Sequence, residues 1–271
     1  MLNDLNDDVS KFIKLQYQPG NSRLIEVKCS HDKLKMQFER ITNQWVNVGD
    51  HSPYHSVLAE DKYKNENISK NINEFHDTGM EGLQNLIALC LKNNIQPNFN
   101  SLFELGCGVG RLTQHFASNF AKINAWDVSP GNLKECILNL KSKNISNVEI
   151  KLINSLSDYN NIPEFDVFYS DIVLQHNTPP LQYYILDQVF SKLKSGGVVL
   201  FQTITHHLTY QFNVETYLNW KHDSAFEMHA LPMRHVMQLF KRHNISVLDV
   251  IKERNGGFNL DSNTFLGIRS E

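Results

Sequence analysis

Phe103-Glu104-Leu105-Gly106-Cys107-Gly108-Val109-Gly110-Arg111 is the stretch from which the fold can be read. An apolar run enters it from Ser101, as a strand does, and an amphipathic run from Arg111 to Phe120 leaves it, as a helix does. Between them stand three glycines at alternate positions. Glycine has no Cβ, so the chain can turn sharply there and its backbone can approach a ligand closely. The helix that follows offers unpaired N–H groups in its first turn. The spacing is E-x-G-x-G-x-G rather than the G-x-G-x-x-G of dinucleotide-binding folds.

Downstream, short apolar runs alternate with amphipathic ones: KINAWDV, NLKECILNLKS, VEIKLI, FDVFYS, PLQYYILDQVFSKLK and GVVLFQTI. This alternation predicts an α/β fold, a mainly parallel doubly wound sheet with helices on both faces. After Ile204 the pattern lapses, then resumes with a helix near 233–243 and two closing strands, SVLDVIKE and TFLGIRS. A lapse of that length points to a functional lid or a disordered segment. Upstream, Leu34, Phe38, Ile41 and Trp45 share one helical face, and VGDHSPYHSVL (48–58) reads as a loop leading into a short helix. Residues 68–92 read as helix, with Gly79 and Gly82 dividing it in two. Residues 1–30 are polar, with a turn signal at Pro19-Gly20. We therefore expect an N-terminal helical cap over 1–98 and a core over 99–271 that carries an insertion at 205–232.

Composition sets outer limits. The chain has 271 residues, 20% charged and 41% hydrophobic, with a formal charge of −3. That length buries a full core without disulfides or a structural metal. The charge leaves no basic face for nucleic acid or an anionic membrane. Cys29, Cys90, Cys107 and Cys136 form no CxxC pair and have no histidine partners at zinc-ligand spacing, so reduced thiols and no metal are expected. The acidic opening MLNDLNDDVSKFIK lacks the apolar segment of a secretory leader, and no run approaches the ~18 apolar residues of a membrane span. These features point to a cytoplasmic protein. They leave the oligomeric state open.

Asp127 closes the second predicted strand in AWDVS, where a carboxylate can accept both hydroxyls of an adenosine ribose. With FELGCGVGR, AWDVS, FDVFYSDIVLQH and LKSGGVVLFQT in order, residues 100–204 resemble the class I S-adenosyl-L-methionine-dependent methyltransferases. The resemblance implies a Rossmann-like seven-stranded sheet with an antiparallel last strand and S-adenosylmethionine over the ends of the first strands. It implies that Gly106, Cys107 and Gly108 line the methionine part and that Glu104 supports that loop. Asp127 would hold the ribose, with Val128 and Ser129 beside the adenine. Asn154, Ser155 and Leu156 would reach the adenine edge, although the family often has Asp where Asn154 stands. Ser170 would face the methionine amine through its backbone. Simpler roles stay open: Asp127 as a helix N-cap, Gly110 as a packing glycine, Arg111 in either a cofactor contact or a surface ion pair.

Two motifs mislead. Asn177-Thr178-Pro179-Pro180 looks like the signature of amide and base N-methylation, but it falls after the fourth strand, where Thr178 as N-cap and two first-turn prolines explain it. Asp171 suggests a metal-dependent site, yet no supporting Asp-Asn pair follows.

Methyl transfer is an in-line displacement that requires alignment more than activation. A hydroxyl acceptor also needs a general base, commonly histidine. His176, in VLQH, is one candidate; packing against the cofactor loop is its alternative. His206 and His207, just past the fifth strand, are the others. Half of the twelve histidines follow that strand, and Tyr210, His222 and His229 continue an aromatic stretch that could roof an acceptor or form a surface hairpin. The segment from Trp45 to Leu58 is similar to a cap in some bacterial small-molecule methyltransferases, which makes Tyr54 a cofactor candidate and His55 a substrate candidate; Tyr54 could equally be core packing. The expectation is methyl transfer to a small-molecule acceptor, an oxygen of a metabolite, activated sugar or phosphate compound, by analogy with enzymes of this fold that decorate surface glycans and natural products. The alternatives are a nicotinamide-dependent oxidoreductase and a non-catalytic S-adenosylmethionine-binding partner subunit.

Overall fold

The computed structural model describes residues 25–220, 226–253 and 260–270. Pro19-Gly20 and His222 lie outside the described residues. Seven strands form one sheet: β1 (Ser101–Leu105), β2 (Lys122–Asp127), β3 (Val148–Leu152), β4 (Phe165–Ser170), β5 (Leu193–His207), β6 (Ile245–Lys252) and β7 (Leu260–Arg269). Their order is β3-β2-β1-β4-β5-β7-β6. The first five pair in parallel, and β7 runs antiparallel between β5 and β6. This is the sheet the sequence led us to expect.

The central strands are buried along their whole length, as apolar parallel strands must be when both faces are covered. Alternate residues serve opposite faces. Phe103, Phe165, Phe168 and Phe201 join one core with Phe190 and Phe240. Leu102, Val167, Tyr169 and Leu200 join another with Leu83 and Leu86. The strand order reverses between β1 and β4, and a crevice opens beyond their C-terminal ends, the usual ligand position in such sheets.

The helices are α1 (His31–His51), α2 (Pro53–Val57), α3 (Ile68–Asp77), α4 (Met80–Lys92), α5 (Thr113–Phe116), α6 (Pro130–Ser142), α7 (Pro179–Ser191), α8 (Val214–Asn219) and α9 (Met233–Arg242). In α1, Ser30 caps the first turn and Leu34, Phe38 and Ile41 are buried. The break between α3 and α4 falls at Thr78-Gly79, where a Cβ on Gly79 would stand 2.0 Å from the Arg111 carbonyl oxygen. Thr178 takes the N-cap position of α7 with prolines following, but its hydroxyl donates to Gln37 Oε1 at 2.7 Å and so ties α7 to α1.

Two boundaries differ from expectation. The helix expected over Arg111 to Phe120 shrinks to α5, because Asn147 Nδ2 donates to the carbonyls of Ala117 and Phe120 at 2.9 and 2.8 Å and ends it. Strand β5 continues through Thr205, His206 and His207, residues expected to open the insertion, because they pair with β7.

Candidate active site

Gly106, Gly108 and Gly110 all adopt left-handed backbone, with φ of +78, +54 and +82. A Cβ at Gly106 would stand 2.2 Å from Val173 Cγ2, and one at Gly108 2.7 Å from Val57 Cγ2. The loop is pinched between the chain that leaves β4 and helix α2, so both conformation and space require glycine.

Asp127 lies beside it, 8% exposed. Its Oδ2 accepts the Gly108 N–H and its Oδ1 the Ser129 N–H, each at 2.8 Å. Each oxygen keeps a lone pair for a ligand. Burial pushes this carboxyl up, and the N–H groups of Ser129, Gly108 and Val128 pull it down. Asp127 is not the cap of α6: Ser129 caps that helix, its side chain accepting from the Asn132 N–H.

A cavity of about 310 Å³ sits on the loop. Gly106, Cys107, Gly108, Arg111, Asp127 and Val128, expected at a cofactor, and His176, expected as a base, line it. Phe38, Ile41 and Trp45 of α1 cover it, with Val57, Leu58 and Ala59 from the end of α2. Ile153, Tyr159 and Val173 add apolar walls. A second cavity of about 850 Å³ lies toward α4, β5 and β7. Leu58, Arg111, Leu112, Asp171, Ile172 and Gln175 line both, so the two spaces adjoin. Ile172 has φ +55, a strained position for a β-branched residue, and its N–H donates to Gln202 Oε1 at 3.1 Å.

Glu104 is 1% exposed in β1, and both its carboxylate oxygens lack a hydrogen-bond partner among the described residues. Burial pushes its carboxyl up to about 7, with Thr113 and the Arg111 guanidinium acting in the opposite sense. His176 donates from Nδ1 to the Glu227 carbonyl at 2.9 Å, which leaves Nε2 with the lone pair. Burial lowers its pKa. Its ring meets Trp45 edge-on at 5.0 Å, and Trp45 meets Phe226 at 5.5 Å.

Other candidates are placed elsewhere. Tyr54 is buried against Phe75, its hydroxyl 3.2 Å from both Glu135 Oε2 and Asn139 Oδ1, and does not line the cavity; neither does His55. The cap segment reaches the site through Ser56, Val57, Leu58 and Ala59 instead. Ser129 is fully buried beneath Gly49. Asn154, Ser155 and Leu156 start a helical turn, with Asp158 Oδ2 accepting the N–H groups of Asn154 and Ser155. Ser170 borders the second cavity, its hydroxyl donating to the Leu105 carbonyl at 3.1 Å.

His206 and His207 pair with β7 and line neither cavity. Tyr210 and His229 are likewise off the lining: the Tyr210 hydroxyl and His229 Nδ1 are 2.7 Å apart, and His229 Nε2 is 3.2 Å from Glu227 Oε2. They brace the strap that carries Phe226 and Glu227 past His176. Sequence reasoning missed Tyr159, Phe38 and Ile41 as wall residues, whereas Phe226 belongs to the aromatic stretch expected as a roof and lines the first cavity. Only the α1 face was signalled, by its helical spacing.

Residues 102–197 match the family model described as a methyltransferase domain. This bears out the resemblance read from the four motifs. A carboxy-S-adenosyl-L-methionine synthase of Vibrio parahaemolyticus is 23% identical over 126 residues, covering 45% of this chain and 51% of that protein. The chain thus matches about half the length of that curated relative. Magnesium protoporphyrin IX methyltransferase from Synechocystis, solved with S-adenosylmethionine, superposes with a TM-score of 0.57 at 13% identity over 85% of this chain and 97% of the other. The [4+2]-cyclase SpnF gives 0.54 at 9% identity, again over 85% and 97%. The fold is the Rossmann-like fold of S-adenosylmethionine-dependent methyltransferases. The cyclase shows that one fold serves more than one reaction. No helix among the described residues is long and apolar enough to cross a membrane, and no three of their His, Cys, Asp and Glu side chains are grouped to hold a metal.

Proposed function

We propose that this chain is an S-adenosylmethionine-dependent methyltransferase acting on a small molecule. One observation carries the reading: two buried carboxylates flank a left-handed glycine loop, and Asp127, which lines the cavity, is tied to that loop with acceptor capacity to spare. An apolar cavity with a ribose-binding edge and an anchor for a cationic group fits S-adenosylmethionine. Asp127 would hold the ribose. Val128, Ile153 and Val173 would enclose the adenine. Gly106 and Gly108 would admit the methionine chain, with Arg111 compensating its carboxylate; Glu104, buried outside the lining, would support the loop and add negative charge near the ammonium from behind it. When bound, S-adenosylmethionine supplies a methyl already activated on a sulfonium. The protein's part is to hold the acceptor in line, exclude water and receive a proton.

The acceptor has the second cavity, which meets the first at Asp171 and Ile172. Of the three histidines considered as base, His176 alone lines either space, and its bond to the Glu227 carbonyl presets Nε2 as acceptor. The expectation of an oxygen acceptor rests on the histidine-rich stretch and on the missing amino-methylation signature; of that stretch, His206, His207 and His229 line neither cavity. Calorimetry with S-adenosylhomocysteine and with NAD tests the cofactor. Micromolar binding of the first is expected; tight binding of NAD alone would establish the oxidoreductase reading. Mass analysis of an acceptor screen separates methyl from carboxymethyl transfer, and turnover of any acceptor removes the reading as a non-catalytic subunit.

A further inference from the structure

The walls of the second cavity are unevenly charged. Its charged lining residues are Arg111 and the carboxylates of Glu60, Glu81, Asp171 and Glu253. Glu60 is already paired with Lys62 at 3.1 Å. Glu253 accepts the Thr264 hydroxyl and pairs with no cation among the described residues. Asp171 is half-buried at the junction with the cofactor cavity and makes no hydrogen bond or ion pair among the described residues. Arg111 lines both cavities and lies toward the loop, its Nη1 donating to Thr78 Oγ1 at 3.3 Å.

A second, independent observation points to a ligand. Tyr169 is 5% exposed, yet its hydroxyl borders the cavity and makes no hydrogen bond among the described residues. Gly82 of α4 stands over it. A Cβ there would fall 2.9 Å from that hydroxyl and 2.4 Å from Leu112 Cδ2. Glycine at this third position of α4 keeps the space above Tyr169 open. The Tyr169 hydroxyl and the Asp171 carboxylate both open on the cavity without a protein partner among the described residues, so each keeps acceptor capacity for a ligand that brings donors.

Building on the methyltransferase reading, we infer that the second cavity binds the acceptor through a basic amine, held as its cation by Asp171 and Tyr169, with Glu81 and Glu253 as outer charges. An ammonium supplies the donors both groups lack and the positive charge that the carboxylates leave uncompensated. A neutral alcohol supplies one donor and no charge. The groups facing Asp171 are Arg111 behind the loop, Glu81 on α4 and Glu253 after β6. Burial, with the Glu253 and Glu81 charges, brings Asp171 up to about 6 against the opposing pull of the Arg111 guanidinium. Amine binding should therefore weaken below that pH as the carboxylate is neutralised.

The test is binding, read by ligand-observed NMR and calorimetry on the full chain saturated with S-adenosylhomocysteine. The probes are benzylamine, phenethylamine and 3-phenylpropylamine, each beside its alcohol. Amines are expected to bind about tenfold or more tightly than their alcohols, weakening with salt and below about pH 6. Asp171→Asn should abolish the preference, and Glu253→Gln, on a residue that lines the second cavity alone, should reduce it while S-adenosylhomocysteine affinity is retained. Gly82→Ala should weaken amine binding alone. Equal affinity within the pairs, including no binding by either, overturns the inference, as does a preference that survives Asp171→Asn. Failure of S-adenosylhomocysteine to bind the unaltered chain is a different result and refutes the cofactor reading instead. If Asp171→Asn fails to fold, Glu253→Gln and the salt series decide.

Discussion

Replacing Asp127 by Asn isolates the contact on which the cofactor assignment rests. The carboxylate now accepts two backbone N–H groups at 2.8 Å and keeps one lone pair per oxygen for the ribose. An amide has one oxygen and one NH2. Its NH2 must face either the Gly108 or the Ser129 N–H, donor against donor, and one ribose hydroxyl loses its anionic acceptor. A hydrogen bond to a charged group contributes about 1.5–3 kcal/mol, and a buried donor left unpaired costs about 1–3 kcal/mol. The first term weakens the complex and the second also loosens the loop that forms it. A loss of about 2–4 kcal/mol in binding follows, roughly 30- to 1,000-fold in Kd. Calorimetry with S-adenosylhomocysteine measures it. A cycle with the 2′-deoxy or 3′-deoxy nucleoside analogue locates it: the unaltered protein should lose affinity on deletion of the hydroxyl, and the Asn variant should lose much less. A Kd within threefold of the original, in a variant that melts cooperatively, would refute the assignment of Asp127 to the ribose.

Glu104→Gln should stabilise the unliganded protein at pH 8, because it removes a buried charge without partners. The Glu104 carboxyl is raised from its ordinary value to about 7. The folded state therefore holds the proton longer, and this residue's contribution to stability falls by about 3 kcal/mol as pH rises from about 4.5 to 7, then levels off. The Gln variant should lack that slope in melts across the interval, and an unchanged slope would remove Glu104 as its source. Gly106→Ala combines a left-handed φ with a Cβ 2.2 Å from Val173 Cγ2. It should cut S-adenosylhomocysteine affinity about tenfold or more, and Val173→Ala in the same chain should restore part of the loss. His206→Ala, on a residue outside both cavities, should keep S-adenosylhomocysteine affinity within about twofold; a larger loss would return that histidine to the site.

What could be read in the sequence was local. The glycine loop, the strand period and the α1 face each depend on neighbours within a few residues, so their signals survive without coordinates. The pocket walls depend on neighbours far along the chain. Val57 meets Gly108, and Phe226 reaches His176 through Trp45. No local pattern distinguishes Tyr54, which turns into the α3 side, from Val57 three positions on, which turns to the loop. The histidines illustrate the same limit. Their excess after Ile204 was real, but β7 claims His206 and His207, and a buried Tyr210–His229–Glu227 chain claims another. The position of Tyr169 was within reach: it shares the strand period of Val167, and a tyrosine there had to find a use for its hydroxyl.

Ile172 belongs to the wall of both cavities, and its strained backbone is fastened to Gln202, whose amide also donates to Gln175 Oε1 at 2.8 Å and to Ser262 Oγ at 2.5 Å. One residue thus belongs to the wall of each chamber. A ligand that pulls Ile172 toward relaxed backbone on one side alters the wall met by the ligand on the other. Linkage then requires the two effects to be equal: the factor by which S-adenosylhomocysteine changes amine affinity is the factor by which the amine changes S-adenosylhomocysteine affinity. Donor and acceptor would not be independent guests, and the strain at this one isoleucine is where their communication would be stored.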